Sequence, residues 1–353
     1  MTVSDHDPSV PEPARGRSET DAATPDRGVE ALRRLFEADS TSVVVATVLL
    51  IVLIGVIHPS FFSASQLKSV LQEAVYVGII AAGMAFLVAM RDIDLSVGGN
   101  FSLSVIIAAL FMTHGMSPWL AALLALAAGA TMGLFNAVLA QGIAIPTIIV
   151  TLATSSMYFG LATALAHGQP ISTGLPLQSA FFTVLGGSFL SFPVSVWLLL
   201  GVTIVLTLLL RFTPFGYRVR SVGSNPEAAS FSGIPVRRVR IQTLVLIGVL
   251  CGFAGMLGLA YFETGDPNVG TGFELQAIAA AVIGGTPLRG GTASVFGAVV
   301  GAILLSTVTS GLTYFNVPVN WGSFATGATI LAAVALDSLV RSRRRARRRG
   351  LGL

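Results

Sequence analysis

Apolar residues run along this chain in long blocks, separated by short polar interruptions. A bilayer span needs ~20 apolar residues. Runs close to that length predict ten spans, at about 42–57, 70–90, 100–114, 117–140, 146–166, 193–211, 241–262, 274–287, 293–312 and 322–340. The blocks are continuous, whereas a membrane barrel would show ~10-residue stretches of alternating polarity; the spans are therefore expected to be helices. Two of them, 100–114 and 274–287, are short and flanked by Gly, Ser and acidic residues. Short, glycine-interrupted segments at corresponding places in two halves of a chain point to broken or re-entrant helices and to an internal repeat.

The remaining pattern divides the chain into a polar tail (1–40), a membrane domain (41–340) and a basic tail (341–353). The first tail has no apolar run of signal-peptide type and reads as disordered. Charge then sets orientation. With the N-terminus inside, all arginines fall on inner segments: the N-tail, Arg91, the loop from Arg211 to Arg240, Arg289 and the C-tail. Only Lys68 falls outside, so the positive-inside rule predicts a multi-pass protein of the cytoplasmic membrane with both termini cytoplasmic. The composition agrees: 53% of the 353 residues are hydrophobic and 11% charged, against ~25% charged in soluble domains. Mean hydropathy is +0.80. The fold class expected is thus an all-α polytopic membrane protein of about ten helices. The basic end, Arg341 to Arg349, reads as an anchor on lipid headgroups rather than as a nucleic-acid site. The single cysteine, Cys251, lies within an apolar run and excludes an internal disulfide framework.

One inner loop carries more than a connection. Asn225 and Pro226 form a helix N-cap and first-turn pair. Glu227 sits where a negative charge suits the helix dipole. Ala228 and Ala229 favour helix, Gly233 suits a C-terminal stop, and Pro235 follows. A helix of about two turns, within 224–234, is unstable alone and must dock on something: the protein's own inner face or a partner. Arg237, Arg238 and Arg240 are expected to hold its end at the lipid surface.

The stretch "VGSNPEAASFSGIPV" resembles the cytoplasmic coupling segment of sugar-type ATP-binding cassette importer permeases, the ribose/xylose/arabinose/galactose class. Other segments agree in order: "IDLSVGG", "IPTIIVTLATSSMYFGLATALAHGQPI", "ELQAIAAAVIGGTPLRGGTASVFGAVVGA" and "GATILAAVALD". The resemblance covers roughly 45–340. It implies a permease subunit that works as a homodimer with an ATPase, expected to carry two fused nucleotide-binding domains, and with an extracytoplasmic sugar-binding protein. It further implies that Asn225, Pro226, Glu227, Ala228, Ala229 and Gly233 form the ATPase contact. Members of that family commonly carry glycines just before "IDLSVG"; here Arg91 and Asp92 stand in that place, where they could pair with each other.

Candidate pathway residues are Asp94, Ser96, Asn100, Asn136, Thr151, Ser155 and Glu274. A carboxylate at the edge of a membrane segment is costly and usually functional or paired. Asp94 can line a pathway, or cap the following helix through the N–H groups of Ser96 and Val97. Thr147, Thr151, Thr154 and Tyr158 share a helix face by their spacing, and Gln141 and Gln276 are lesser candidates. Such hydroxyls can bind a passing sugar or bond to neighbouring helices. "IGGTPLRGG" lacks the Lys-Ser/Thr of a phosphate loop and reads as a tight turn. No ATPase motif, catalytic constellation, metal-ligand spacing or cofactor signature is present, which predicts a transport subunit and not an enzyme. The alternatives kept open are the same machine with a nucleoside, branched-chain amino acid or furanosyl signal molecule as cargo, and an ion-coupled secondary transporter.

Overall fold

The structure, a computed structural model, describes residues 38–318 with Leu177 excepted, together with scattered positions between 321 and 335. The chain divides into 1–37 and 38–353, and the description concerns the second unit. Both tails and most of the expected tenth span lie outside the described residues.

In chain order the elements are α1 (Ala38–Ile57), α2 (Ala64–Ala89), α3 (Val97–Thr113), α4 (Pro118–Gly142), α5 (Thr147–Leu165), β1 (Ile171–Ser172), α6 (Ala180–Leu185), β2 (Ser188–Phe189), β3 (Phe192–Pro193), α7 (Val194–Phe212), α8 (Pro214–Ser224), α9 (Pro226–Phe231), α10 (Val236–Phe262), β4 (Thr264–Gly265), α11 (Phe273–Ile283) and α12 (Val295–Tyr314). Nine of these helices coincide with the first nine expected spans. Six are long and apolar enough to cross a membrane, and α3 and α11 are short, as their sequences predict. Helix α8, by contrast, is an element that the hydrophobic pattern does not announce.

Helices α2 and α10 are buried over most of their length, while α4, α5 and α7 turn apolar faces outward. Leu123, Leu152 and Val205 are among the side chains so exposed, as lipid contact requires. Helices α4 and α10 approach each other closely. Gly129 and Gly133 lie against Gly248 and Gly252, and a Cβ on Gly133 would collide with the Leu244 carbonyl. Each pair has GxxxG spacing, the device by which helix backbones touch where lipid removes the hydrophobic drive.

The packing also carries a two-fold pattern. Helix α2 packs on α12 as α10 packs on α4; α3 lies against α10 as α11 lies against α2; and α3 abuts α4 as α11 abuts α12. Exchanging the triplet α2–α3–α4 for α10–α11–α12 leaves this pattern unchanged. The triplets start five spans apart, so in the expected topology they run in opposite directions, the arrangement of an inverted repeat.

Two extended segments enter the bundle at equivalent places. One, Arg91–Ser96, leads into α3; the other, Glu263–Gly272, leads into α11. Each opens on a residue in the left-handed region, Arg91 at φ 65° and Glu263 at φ 62°. The second meets the first turns of α3, where Gly270 N–H donates to Ser102 Oγ at 2.9 Å. Each of α3 and α11 begins only after its segment has entered the bundle, which leaves it 17 and 11 residues long.

Candidate coupling face and pathway

Helix α9 is built as its sequence predicts. Asn225 Oδ1 accepts from the N–H groups of Glu227 and Ala228 at 3.0 and 3.1 Å. At the other end Gly233 has φ 81°. Its N–H reaches the Ser230 carbonyl, and Ile234 N–H reaches that of Ala229, both at 3.0 Å, forming a Schellman stop. The two alanines separate: Ala229 is buried against the protein, while Ala228 and Glu227 face solvent. Phe231 is 93% exposed, a large apolar ring at the tip of a charged loop. It lies inside the quoted motif, yet its helix face is readable only once Ala229 is seen to point inward.

Behind α9 a set of bonds ties the loop to the bundle. Arg91 donates from its guanidinium to the Ser224 carbonyl at 2.7 Å. Gly291 N–H donates to the Ala89 carbonyl at 2.9 Å, and Gly223 abuts both. Thus the ends of α2 and α8 and the α11–α12 turn meet at one point. The expected Arg91–Asp92 pair does not form. With Arg91 in the left-handed region the two side chains diverge, and Asp92 Oδ2 instead lies 3.1 Å from Arg240 Nε. That contact lacks the alignment of a hydrogen bond. Burial pushes the Asp92 carboxyl above the usual carboxylate range, with Arg240 and the Thr147 hydroxyl pulling it back. Arg91, Asp92, Gln141, Thr147 and Arg240 line a cavity of about 490 Å³ at this end of the bundle.

Deeper in, the candidate pathway residues fall into two groups. Asp94, Ser96, Asn100, Asn136 and Thr151 are all buried and bonded to one another or to backbone. Asp94 Oδ1 accepts from Ser96 N–H at 2.7 Å and from its hydroxyl at 2.6 Å. Asn136 Nδ2 donates to Ser96 Oγ at 2.7 Å, and the Tyr158 hydroxyl lies 3.0 Å from Asn136 Oδ1. Thr151 Oγ1 accepts from Leu95 N–H at 3.0 Å, and Asn100 donates to the Gly129 carbonyl at 3.2 Å. Asp94 therefore takes the N–H of Ser96, at the start of α3, but not that of Val97. The hydroxyl face of α5 (Thr147, Thr151, Thr154, Tyr158) is buried as a unit.

Glu274 differs. It stands in the first turn of α11, and its Oε2 is buried without a hydrogen-bond partner among the described residues, close against Gly98 in the first turn of α3. Ser155 is half-buried on α5, and its carbonyl is what a side chain at Gly99 would meet, at 2.9 Å. The structure thus brings all seven candidates around the start of α3: Asp94, Ser96 and Asn136 bonded in series, Asn100 and Thr151 bonded to backbone, Ser155 against Gly99, and Glu274 with one oxygen unmatched among the described residues.

Comparison with known proteins places this geometry. A family described as "Branched-chain amino acid transport system / permease component" matches residues 66–334. The L-arabinose ATP-binding cassette transporter permease of Azospirillum brasilense is 33% identical over 306 residues, covering 87% of this chain and 89% of that protein. The ribose import permease of Bacillus subtilis is 35% identical over 289 residues, covering 82% and 89%. An autoinducer 2 import permease of Yersinia enterocolitica is 32% identical over 298 residues, covering 84% and 81%.

Proposed function

This chain belongs to the family of branched-chain amino acid transport system permease components, and we propose that it is the membrane subunit of an ATP-binding cassette importer that carries a monosaccharide, pentose or hexose, into the cell. The reading rests on similarity to permeases named for arabinose and ribose over more than four-fifths of the chain. In it, α9 seats in the ATPase, with Phe231 as its apolar contact and Asn225, Pro226, Glu227, Ala228 and Gly233 giving the helix its shape. ATP-driven closure of the ATPases pulls on α9. The Arg91–Ser224 bond passes that movement to the segment entering α3. Two ATPase domains need two such helices, so the working permease is a homodimer. An extracytoplasmic binding protein delivers the sugar at the opposite end, which makes the α9 side and both termini cytoplasmic. Asp94, Ser96, Asn100, Asn136 and Thr151 hold the wall of the pathway, and Ser155 and Glu274 face it.

A neutral cargo fits the charges present. A zwitterionic amino acid calls for both signs, whereas the charged side chains at the starts of α3 and α11 are Asp94 and Glu274. The autoinducer 2 permease among the relatives favours a second reading, the same machine with a furanosyl signal molecule as cargo. The test is uptake into vesicles holding the permease, its ATPase and its binding protein, with labelled ribose, arabinose, galactose and a furanosyl signal in parallel. ATP-dependent accumulation of a monosaccharide is expected. Accumulation that survives removal of the ATPase would overturn the importer reading.

A further inference from the structure

Helix α10 has 27 residues, so at ~1.5 Å rise per residue it is about 40 Å long. Helix α9 lies at its first end. At its other end is a cavity of about 210 Å³, lined by Phe101, Val105, Gly258, Phe262, Thr264 and Asp266 among others. That is smaller than the ~300–1,000 Å³ of drug-sized sites, and it suits one small ring with little room to spare. The space exists because residue 258 has no side chain: a Cβ there would stand 3.0 Å from Phe101 Cζ.

The walls are held in place from behind. Phe101 has its ring 5.1 Å from Phe273 and 6.0 Å from Tyr76, and Phe262 lies 5.7 Å from Tyr76. Strand β4 pairs with β1, Thr264 opposite Ser172 and Gly265 opposite Ile171, so two loops distant in sequence are stitched together beside the opening. One oxygen of Asp266 accepts from Asn268 N–H at 2.8 Å, which fixes the carboxylate. Its second oxygen accepts no hydrogen bond among the described residues. Aromatic faces beside a fixed, half-occupied carboxylate are complementary to a sugar ring. The electron-rich faces attract C–H groups, and the carboxylate accepts strong charge-assisted bonds from hydroxyls.

We propose that this cavity is a holding site for a single monosaccharide, which rests against Phe101 and Phe262 and donates a hydroxyl to Asp266 before it passes inward toward Glu274. The inference rests on the monosaccharide reading above and adds the place where the ring waits. A passage formed only by the buried α3 network would have no such station.

The experiment uses the full chain with its ATPase and binding protein in vesicles, with labelled D-ribose, L-arabinose and D-galactose as probes. Asp266→Asn keeps an oxygen for Asn268 N–H but replaces the free carboxylate oxygen with an amide. Phe262→Leu removes the aromatic face, and Phe262→Tyr restores it. Uptake should fall roughly tenfold in Asp266→Asn and Phe262→Leu, and return to within about twofold of the parent in Phe262→Tyr. In Phe262→Trp, the added emission, taken as the difference from the parent protein, should shift with the transported sugar and not with L-leucine. Parent-level uptake by both Asp266→Asn and Phe262→Leu overturns the holding site and leaves the importer reading standing. Loss of uptake in Phe262→Tyr as complete as in Phe262→Leu also overturns it, because the ring would then serve packing alone. If the parent complex accumulates none of the three sugars, the monosaccharide reading fails and the holding site fails with it.

Discussion

The segments entering α3 and α11 are the same device built with opposite chemistry. Both open on a left-handed residue and both end at a short helix begun inside the bundle. In the first, most polar groups are bonded: Arg91 to the Ser224 carbonyl, Asp94 to Ser96, Leu95 N–H to Thr151, with Asp92 in ionic contact with Arg240 but not hydrogen-bonded to it. In the second, Asp266 uses one oxygen locally and Glu274 Oε2 is unmatched. A buried polar group without a partner costs about 1–3 kcal/mol, and such a cost persists where something else is served. The lesson is one of division. On the function proposed, the segment beside α9 transmits force, and most of its polar groups are bonded to the protein. On the same reading, the segment at the far end of α10 meets cargo and keeps acceptors open.

That contrast can be broken at its strongest point first. Gly233→Pro replaces a residue at φ 81° with one locked near −65°, so the Schellman stop of α9 is lost while the bundle behind it is untouched. Uptake is expected to fall at least about tenfold, with ATP hydrolysis continuing and the purified variant eluting as the parent does. Normal uptake would remove α9 from the coupling path. Next, Arg91→Ala deletes the charge-assisted bond to Ser224, worth about 1.5–3 kcal/mol. Less sugar should be moved per ATP, whereas Glu274→Gln should change the uptake rate without changing that ratio. The same ratio change in both variants would erase the distinction between the two segments.

A smaller effect follows from Asp92. Its carboxyl sits above the usual range, so the native state holds that proton more tightly than the unfolded chain does. Stability from this group is therefore fully present below the ordinary carboxylate value and is lost as pH rises from there through the raised one. The melting temperature of Asp92→Asn, compared with the parent from pH 8 down to about 4, should lack that part of the slope; identical slopes would show that Asp92 does not contribute it. The smallest effect is expected for Thr151→Ala. It removes one acceptor, for Leu95 N–H, and costs about 1 kcal/mol; uptake should stay within about twofold. A collapse of uptake would mean that Thr151 touches cargo and that the first segment is not purely structural.

Much of this was legible before any coordinates. Span positions came through because lipid demands long apolar runs, and α3 and α11 were marked as short by the same count. The cap and stop of α9 were readable because Asn-Pro and Gly-Ile-Pro act on the backbone within four residues. Helix α8 was not: Pro214–Ser224 mixes arginines with Val219 and Val222, and its helicity follows from packing at the end of α2. The Arg91–Asp92 pairing was misread, because neighbours in sequence point apart once the first takes φ 65°. The GxxxG spacings on α4 and α10 were present in the letters, but nothing there says that the two helices face each other.

What the sequence by itself determined is local or one-dimensional: helical spans, two of them short, a capped two-turn helix, and a hydroxyl face on α5. Each depends on residues within a turn or two, or on a sum along the chain. Tertiary structure alone decided which polar groups are paired and which are left open. Asp94 and Glu274 look alike as isolated carboxylates at the edges of short spans. One meets Ser96 and, through it, Asn136 from another helix. The other sets one oxygen against Gly98, which has no side chain to offer it a bond. Pairing is a property of partners brought from distant parts of the chain, and only folding brings them.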